Sequence, residues 1–377
     1  MEARSPAGAA APARYYRPEL DILRFFAFML VFVSHTTPTD SEYWANLPIF
    51  GPLATLFNAA ALGGAFGVDL FFALSSFLIT TLLLKEREAE GRIDVGAFYL
   101  RRLLRIWPLY FAFLLLIRPL IPLVLPEEDM PLKYTAAFLL FVGNWACVIW
   151  GYPHSVAAPL WSVSMEEQFY LAWPWIVRRW GARLLTVSLV LIGVAFAMRF
   201  VLVAGHAEHP QIWDNTLARL DPIACGMILA VVVKRREIVP PLWLRGLLTL
   251  FAIAVLLLIG RFGGFTGVQS LVSLPAATVA CIALIVAALG LPMPRANPVL
   301  RALIYLGRIS YGLYVFHQLF VYLLQVPQTL EPGERLARAV LALAGTILAA
   351  ALSYHALERP FLRLKDRYAH IKSTPVS

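Results

Sequence analysis

Long apolar runs alternate with short polar connections along almost the whole chain. A helix needs about 20 mostly apolar residues to cross a hydrocarbon core of about 30 Å. Ten runs have about this length, near residues 20–37, 64–84, 104–125, 160–177, 184–203, 214–233, 242–260, 269–290, 303–325 and 336–356. The pattern therefore predicts an all-α, polytopic transmembrane bundle of about ten spanning helices.

The basic residues predict how this bundle is oriented. Lys and Arg resist translocation and collect in cytoplasmic segments. With ten spans and a cytoplasmic N-terminus, most of the 32 basic residues fall on the cytoplasmic side. An eleventh apolar run, 134–150, would translocate the basic cluster at 234–236 if it crossed, so we expect it to lie at the outer face as an interfacial or re-entrant piece. The expected organisation is a cytoplasmic N-terminal tail at 1–19, a membrane domain at 20–358 and a cytoplasmic C-terminal tail at 359–377.

Composition supports a membrane protein and argues against other classes. The chain is 60% hydrophobic and 15% charged, whereas soluble domains are about 45–50% apolar and about 25% charged. The net charge of +9 comes from residues at the ends of apolar runs, so no nucleic-acid partner is expected. Cys147, Cys225 and Cys281 are far apart and have neither disulfide nor metal-ligand spacing. We expect a multi-pass protein of the cell inner (plasma) membrane, with no metal and no permanently bound cofactor.

Two charged or polar residues share one face of the first span. Charges inside spans cost about 2.5–3.5 kcal/mol each and mark functional sites. Arg24 and His35 are eleven residues apart, which places them about 20° from a whole number of turns and about 16 Å apart along the axis. The spacing predicts one track that runs from a guanidinium to an imidazole. The alternative is that Arg24 reaches lipid headgroups and His35 is an outer-end polar residue.

Other acidic and basic residues near the span ends are candidates for the same site. Asp69 lies at a depth comparable to His35 and could orient its imidazole, although a helix N-terminus also favours an acid. Arg102 and Arg105 are i,i+3 neighbours that could clamp a phosphate or simply mark the cytoplasmic side. Glu166 and Glu167 are adjacent at the start of the fourth span, so at least one of them should face the bundle.

Some polar residues favour a structural interpretation. Arg219 and Asp221 in the sixth span are predicted to form an ion pair with each other. His317 is interpreted as a satisfied interior histidine rather than a catalyst. His206 and His209 belong to an outer loop and are expected to be solvated.

Seven motifs in chain order resemble the acyltransferase type 3 family of bacterial membrane acyltransferases, from residue 16 to about 365. They are Arg24 with His35, Gly67-Val-Asp69-Leu-Phe-Phe72, Arg102-x-x-Arg105, Leu160-Trp161-Ser162-Val-Ser164-Met-Glu166-Glu167-Gln168-Phe-Tyr170, Arg219-Leu-Asp221 followed by Gly226, Ile309-Ser310-Tyr311-Gly312-Leu-Tyr314, and Glu358-Arg359-Pro360. The chain departs from the family pattern at Ser76 and at Pro222, where the family usually or often has glycine. The second departure weakens any detailed role for its two charged neighbours, Arg219 and Asp221.

The resemblance implies transfer of an acyl group, commonly acetyl, from cytoplasmic acyl-CoA to a hydroxyl. The acceptor would be a lipid-linked glycan, lipopolysaccharide, exopolysaccharide or other carbohydrate, or a glycosylated small molecule. His35 would act as general base or accept the acyl group first. The other implied roles are orientation of His35 by Asp69, Glu166 or Glu167, binding of acyl-CoA by Arg24, Arg102 and Arg105, and structural or substrate contacts by Trp161, Ser164, Arg219, Asp221 and Tyr311.

Two other classes of function fit parts of the pattern. In a transporter or flippase, Arg24, His35 and Asp69 would relay protons or bind substrate, and ten spans suit that class equally well. The sequence has no evident inverted repeat of broken helices, which weighs against it. A non-catalytic membrane scaffold would leave several costly intramembrane charges without a purpose.

Overall fold

The computed structural model describes residues 15–39, 53–123, 125, 130–294, 296–326 and 331–368. Within these residues the chain is all-helical, as the sequence predicts. Residues 1–14 of the predicted N-terminal tail and residues 369–377 of the predicted C-terminal tail lie outside the described residues.

The helices follow one another through short connections. They are α1 Pro18–Thr36, α2 Ala54–Gly64, α3 Gly67–Glu90, α4 Val95–Leu120, α5 Leu132–Leu139, α6 Gly143–Trp150, α7 Trp161–Trp180, α8 Leu184–Ala204, α9 Asp221–Arg235, α10 Leu242–Phe262, α11 Ser270–Ala288, α12 Pro298–Arg308, α13 Ser310–Leu323, α14 Pro332–Ser353 and α15 Arg359–Asp366. A π-helical turn, Tyr354–Glu358, joins α14 to α15, and 3-10 turns precede α7, α8 and α9.

The described residues contain several membrane-crossing segments. Five stretches are long and apolar enough, namely Thr55–Glu90, Ala158–Ala204, Leu242–Phe262, Ser270–Ala288 and Pro332–Lys365. A sixth is formed if α12 and α13, which meet at 75°, count as one bent span. The chain is therefore a multi-pass membrane protein, while the count of ten spans and the orientation of the termini stay predictions. Among the remaining candidates, α1 carries three charges in its 19 residues and α9 has only 15 residues.

The ambiguous run 134–150 is broken into two short helices. Helices α5 and α6 have 8 residues each and are separated at residues 140–142. Eight helical residues extend only about 12 Å, less than half of the hydrocarbon core. This segment therefore does not cross as one helix. It is held to the bundle through Asn144, whose amide donates to the carbonyl of Asp214 at 3.0 Å.

Helix α3 packs against α1, α7, α9 and α11. Its contact with α9 is close because Gly226 on α9 faces the backbone carbonyl of Ala73, and a Cβ at that glycine would overlap it. On the other side of this contact Ser76 donates a hydrogen bond of 2.6 Å to the carbonyl of Ile223. The serine at a position where the family usually has glycine therefore keeps the close approach, because its small hydroxyl bonds to the neighbouring backbone.

Buried ion pairs join three helices near one end of the bundle. The Arg219 guanidinium lies 2.7 Å from Asp69 on α3 and stacks over the Trp213 ring at 3.9 Å. Arg199 on α8 pairs with Asp221 at the start of α9. The predicted pair between Arg219 and Asp221 is therefore wrong. Residues two apart in a helical segment point about 200° apart, so these two side chains reach opposite neighbours.

Removing one partner of the buried pair between Arg219 and Asp69 should destabilise the fold. Arg219→Leu leaves Asp69 as an uncompensated buried carboxylate, and we expect it to cost about 3–5 kcal/mol. The measurement is the thermal unfolding midpoint of the purified protein in detergent. The control is Arg338→Leu, which breaks the exposed pair with Glu334 and should cost at most about 1 kcal/mol. Equal losses in both variants would contradict a structural role for the buried pair.

Candidate active site

A cation-rich cavity opens between the N-terminal half of α1 and helices α3, α4, α7 and α13. We call it the arginine cavity, and its polar lining consists of Tyr15, Tyr16, Arg17, Asp21, Arg24, Ser75, Arg102, Arg105, Ser162, Glu166, Tyr170, Ser310, Tyr311 and Tyr314. The three arginines that the sequence analysis assigned to acyl-CoA binding, Arg24, Arg102 and Arg105, line it together. The i,i+3 spacing on α4 indeed places Arg102 and Arg105 on one helix face.

The arginines of this cavity differ in how they are neutralised. Arg24 pairs with Asp21 at 3.2 Å. Arg102 lies over the rings of Phe98 and Tyr170, with its guanidinium carbon 5.7 and 5.6 Å from the ring centroids. Within the described part of the chain, neither Arg102 nor Arg105 has a carboxylate within 4.0 Å. The cavity therefore offers at least two guanidinium groups to an anion.

The two adjacent acids at the start of α7 face different surroundings. Glu166 lines the arginine cavity and accepts a hydrogen bond of 3.0 Å from the Tyr170 hydroxyl. Glu167 does not line it and accepts a hydrogen bond of 3.1 Å from the Trp107 indole. One acid of the pair thus faces the cavity, as the 100° step between successive helical residues predicts.

A second cavity lies around the C-terminal end of α1. We call it the histidine cavity, and it is lined by Val31, Ser34, His35, Thr39, Ala61, Leu62, Ala65, Val68, Tyr152, Pro153, Ala158, Pro159, Trp161, His209, Trp213, Phe265, Tyr314, Gln318 and Tyr322. The His35 side chain is exposed to this cavity. Its lining is mostly aromatic and aliphatic, with a few hydroxyl, amide and imidazole groups.

His35 is paired with a second histidine. Its Nδ1 lies 3.1 Å from Nε2 of His317 on α13, and the two rings stack with centroids 5.1 Å apart. The other ring nitrogen of His317 lies 2.6 Å from the carbonyl oxygen of Tyr314. His317 is fully buried, so its interior position is confirmed. The sequence analysis did not predict the contact between His317 and His35. The only indication in the sequence was that His317 follows Tyr314, a residue of a recognised motif, by about one helical turn.

The three carboxylates proposed to orient His35 do not contact it. Asp69 is buried and bonded to Arg219, while Glu166 and Glu167 bond to Tyr170 and Trp107. Among the described residues, the hydrogen-bond partner of the His35 ring is His317. Asp69 does not reach His35, because the packing of α3 against α9 brings Arg219 close to Asp69.

One wall separates the two cavities. Val68 and Tyr314 line both of them. The Tyr314 hydroxyl donates to the carbonyl of Pro159 at 2.9 Å and lies 2.7 Å from the Ser162 hydroxyl oxygen. Pro159 faces the histidine cavity and Ser162 faces the arginine cavity. The single track predicted along α1 is therefore divided, with Arg24 on one side of the wall and His35 on the other.

The remaining candidate residues are spread over the two cavities and the core. Trp161 lines the histidine cavity and packs edge-to-face against Phe72 and Trp213. Tyr311 lines the arginine cavity and donates to the Ile106 carbonyl at 3.0 Å. Ser164 is fully buried and lines neither cavity. His209, expected to be solvated, is exposed and also lines the histidine cavity.

These features define a class of protein: a membrane-embedded helical bundle with an anion-attracting cavity and an imidazole cavity on opposite sides of one wall. The family model described as "Acyltransferase domain" matches residues 17–355. The chain belongs to the acyltransferase type 3 family. Members of this family are membrane acyltransferases.

Curated relatives carry O-acetyltransferase names. YrhL of Bacillus subtilis (strain 168), provisionally named a peptidoglycan O-acetyltransferase, is 28% identical over 376 residues, which cover 92% of this chain and 55% of YrhL. O-acetyltransferase OatA of Staphylococcus aureus (strain NCTC 8325 / PS 47) is 29% identical over 233 residues, covering 58% of this chain and 35% of OatA. The chain thus spans about half the length of YrhL and aligns to about a third of OatA. No solved structure matches the chain.

The two cavities should open to opposite sides of the membrane. In a background lacking the three native cysteines, Thr39→Cys places a thiol in the histidine cavity and Leu82→Cys places one in the arginine cavity. A charged maleimide cannot cross the hydrocarbon core. In intact cells it should therefore label the Thr39→Cys variant, and it should label the Leu82→Cys variant only after permeabilisation. Labelling of both variants in intact cells would contradict the predicted orientation.

Proposed function

We propose that this chain transfers an acetyl group from acetyl-CoA to a hydroxyl of a cell-envelope glycan, peptidoglycan being the favoured acceptor. One observation carries the proposal: a cavity with arginines and a cavity with an imidazole share a wall at Val68 and Tyr314. The donor binds in the arginine cavity and the acceptor binds in the histidine cavity. The thioester and the hydroxyl then meet at the wall.

The arginine cavity suits the phosphate end of coenzyme A. Guanidinium groups bind phosphate oxygens through paired, charge-assisted hydrogen bonds. Arg102 and Arg105 supply two such groups, neither of which has a carboxylate within 4.0 Å in the described part of the chain, and Arg24 supplies a third from α1. Coenzyme A carries its phosphates at one end and its thiol at the other. Phosphates held by these arginines would let the pantetheine arm extend toward the wall.

The acceptor side is supported by the lining of the histidine cavity. Binding sites for small molecules combine apolar and aromatic walls with a few placed polar groups. Trp161, Trp213 and Phe265 provide aromatic surface, while Ser34 and Gln318 provide polar atoms. A sugar ring has apolar faces and hydroxylated edges, which match this combination. The O-acetyltransferase names of the relatives support the same acceptor class, and the YrhL name favours peptidoglycan within it.

His35 is the proposed general base. As the acceptor oxygen attacks the thioester carbonyl carbon, its proton passes to the imidazole. The carbon–sulfur bond then breaks, the ester forms, and the coenzyme A thiolate leaves and takes the proton back from the imidazole. The reaction is redox-neutral and needs no co-reactant besides the donor and the acceptor.

The His35→Ala variant should lose acetyl transfer. Loss of a general base costs about 100- to 10,000-fold in rate. The measurement is transfer of a labelled acetyl group from acetyl-CoA to glycan by purified protein in lipid vesicles. His355→Ala is the matched control, because His355 lies outside both cavities and its removal should leave the rate unchanged. A normal rate in the His35→Ala variant at equal protein level would rule out this mechanism.

The arginine variants should affect the donor selectively. Loss of one charge-assisted hydrogen bond costs about 1.5–3 kcal/mol, or about tenfold to a hundredfold in binding. Arg102→Ala and Arg105→Ala should therefore raise KM for acetyl-CoA by at least about tenfold, with KM for the acceptor unchanged. Arg179→Ala, which removes an arginine outside the cavity, should change neither constant. Unchanged donor KM in both cavity variants would mean that the cluster does not bind acetyl-CoA.

A further inference from the structure

We propose that His317 is the positioning residue of the reaction, holding His35 in the one tautomer whose free nitrogen lone pair can accept the proton of the acceptor hydroxyl. The inference rests on the proposed role of His35 as general base. It assigns to a buried second imidazole the orienting function that Asp69, Glu166 and Glu167 were expected to perform.

The hydrogen-bond chain fixes the direction of each bond. The Tyr314 carbonyl oxygen can only accept, so Nδ1 of His317, 2.6 Å away, carries a hydrogen. A neutral imidazole has one N–H, so Nε2 of His317 is an acceptor. Nδ1 of His35 lies 3.1 Å from that acceptor and therefore carries its own hydrogen. This leaves Nε2 of His35 with an unprotonated lone pair.

The surroundings of His317 favour its neutral form. It is fully buried, and the edge-to-face ring of Phe28 packs against it with centroids 6.2 Å apart. Within the described part of the chain, no carboxylate hydrogen-bonds to either histidine. A buried cation without a carboxylate partner is costly. The hydrogen-bond chain therefore runs through two neutral rings.

The orientation of His317 is tied to the wall between the cavities. Its hydrogen-bond acceptor is the backbone carbonyl of Tyr314, and the hydroxyl of the same tyrosine is fixed by Pro159 and Ser162. Tyr314 therefore positions both the wall, where the thioester would arrive, and the ring of His317, which orients the proposed base His35. Fixing the reacting groups in advance in this way reduces the entropic cost of reaching the transition state.

The pair of His35 and His317 also stabilises the positive charge that forms on His35 during transfer. When Nε2 of His35 takes the hydroxyl proton, the ring becomes an imidazolium whose Nδ1–H still donates to Nε2 of His317. That bond becomes charge-assisted and strengthens. Nε2 then returns the proton to the departing thiolate, and His317 ends unchanged. A neutral orienting group performs this step without adding a permanent charge inside the bundle, where charges are costly.

Two substitutions at position 317 separate positioning from packing. His317→Leu removes the acceptor, whereas the amide oxygen of His317→Gln can still accept from Nδ1–H of His35. We expect His317→Leu to lower kcat by about 10- to 100-fold, the range found for groups that orient metal-binding histidines. KM for acetyl-CoA and for the glycan should stay unchanged. His317→Gln should retain most of the wild-type kcat, and the control His355→Leu should retain all of it.

The tautomer can be measured directly in the full-length protein. Nitrogen-15 labelling of the 7 histidines, with the His35→Gln variant used to assign the His35 signals, reports which ring nitrogen carries the hydrogen. We expect Nδ1–H on His35 in the wild type and in His317→Gln. In His317→Leu we expect a mixture of both tautomers.

The outcomes distinguish this inference from the proposed function. Wild-type kcat in a folded His317→Leu variant, with His35→Ala inactive, would overturn the inference and leave the general base in place. An Nε2–H tautomer of His35 in the wild type would also overturn it, without any activity measurement. Equal loss in folded Gln and Leu variants at position 317 would do the same. Wild-type protein that transfers no acetyl group, or an active His35→Ala variant, would instead overturn the proposed function.

Discussion

A polar side chain inside an apolar bundle has no bulk water to bond with, so each one must find a partner within the protein. This constraint organises the described part of the chain. Asp69 pairs with Arg219, Asp221 pairs with Arg199, and His317 bonds to both His35 and a backbone carbonyl. Each pair joins different helices, so satisfying the polar groups also sets the packing of α1, α3, α8, α9 and α13.

Some groups that lack a charged partner line the two cavities. Arg102 and Arg105 face a cavity with no carboxylate in ion-pair distance of them among the described residues, and His35 lines the other cavity. Under the proposed function, these groups would bind an anion and a hydroxyl. Tyr314 lies between the two cavities and connects both parts through its hydroxyl and its carbonyl. Under the proposed function, this division would keep donor and acceptor apart until their reactive ends meet.

The departures from the family pattern have different consequences. Ser76 keeps the close packing of α3 on α9 through its bond to the Ile223 carbonyl. Pro222 follows Asp221 in the first turn of α9, where a proline costs nothing because that backbone N–H has no helical acceptor. The charged pairs on either side of this turn remain intact. Neither departure therefore disturbs the elements that form the two cavities.

The sequence by itself determined the helical class, the membrane environment, the grouping of Arg102 with Arg105 and the failure of 134–150 to cross as one helix. The first three follow from length, hydropathy and helical period, which are local properties, and the fourth follows from the position of the basic cluster at 234–236. Only the tertiary structure decided that Arg219 bonds to Asp69 rather than to Asp221, that His317 rather than a carboxylate holds His35, and that a wall divides the track along α1. Those contacts join residues up to 282 positions apart, and one chain's hydrophobic pattern carries no information about which distant helices become neighbours.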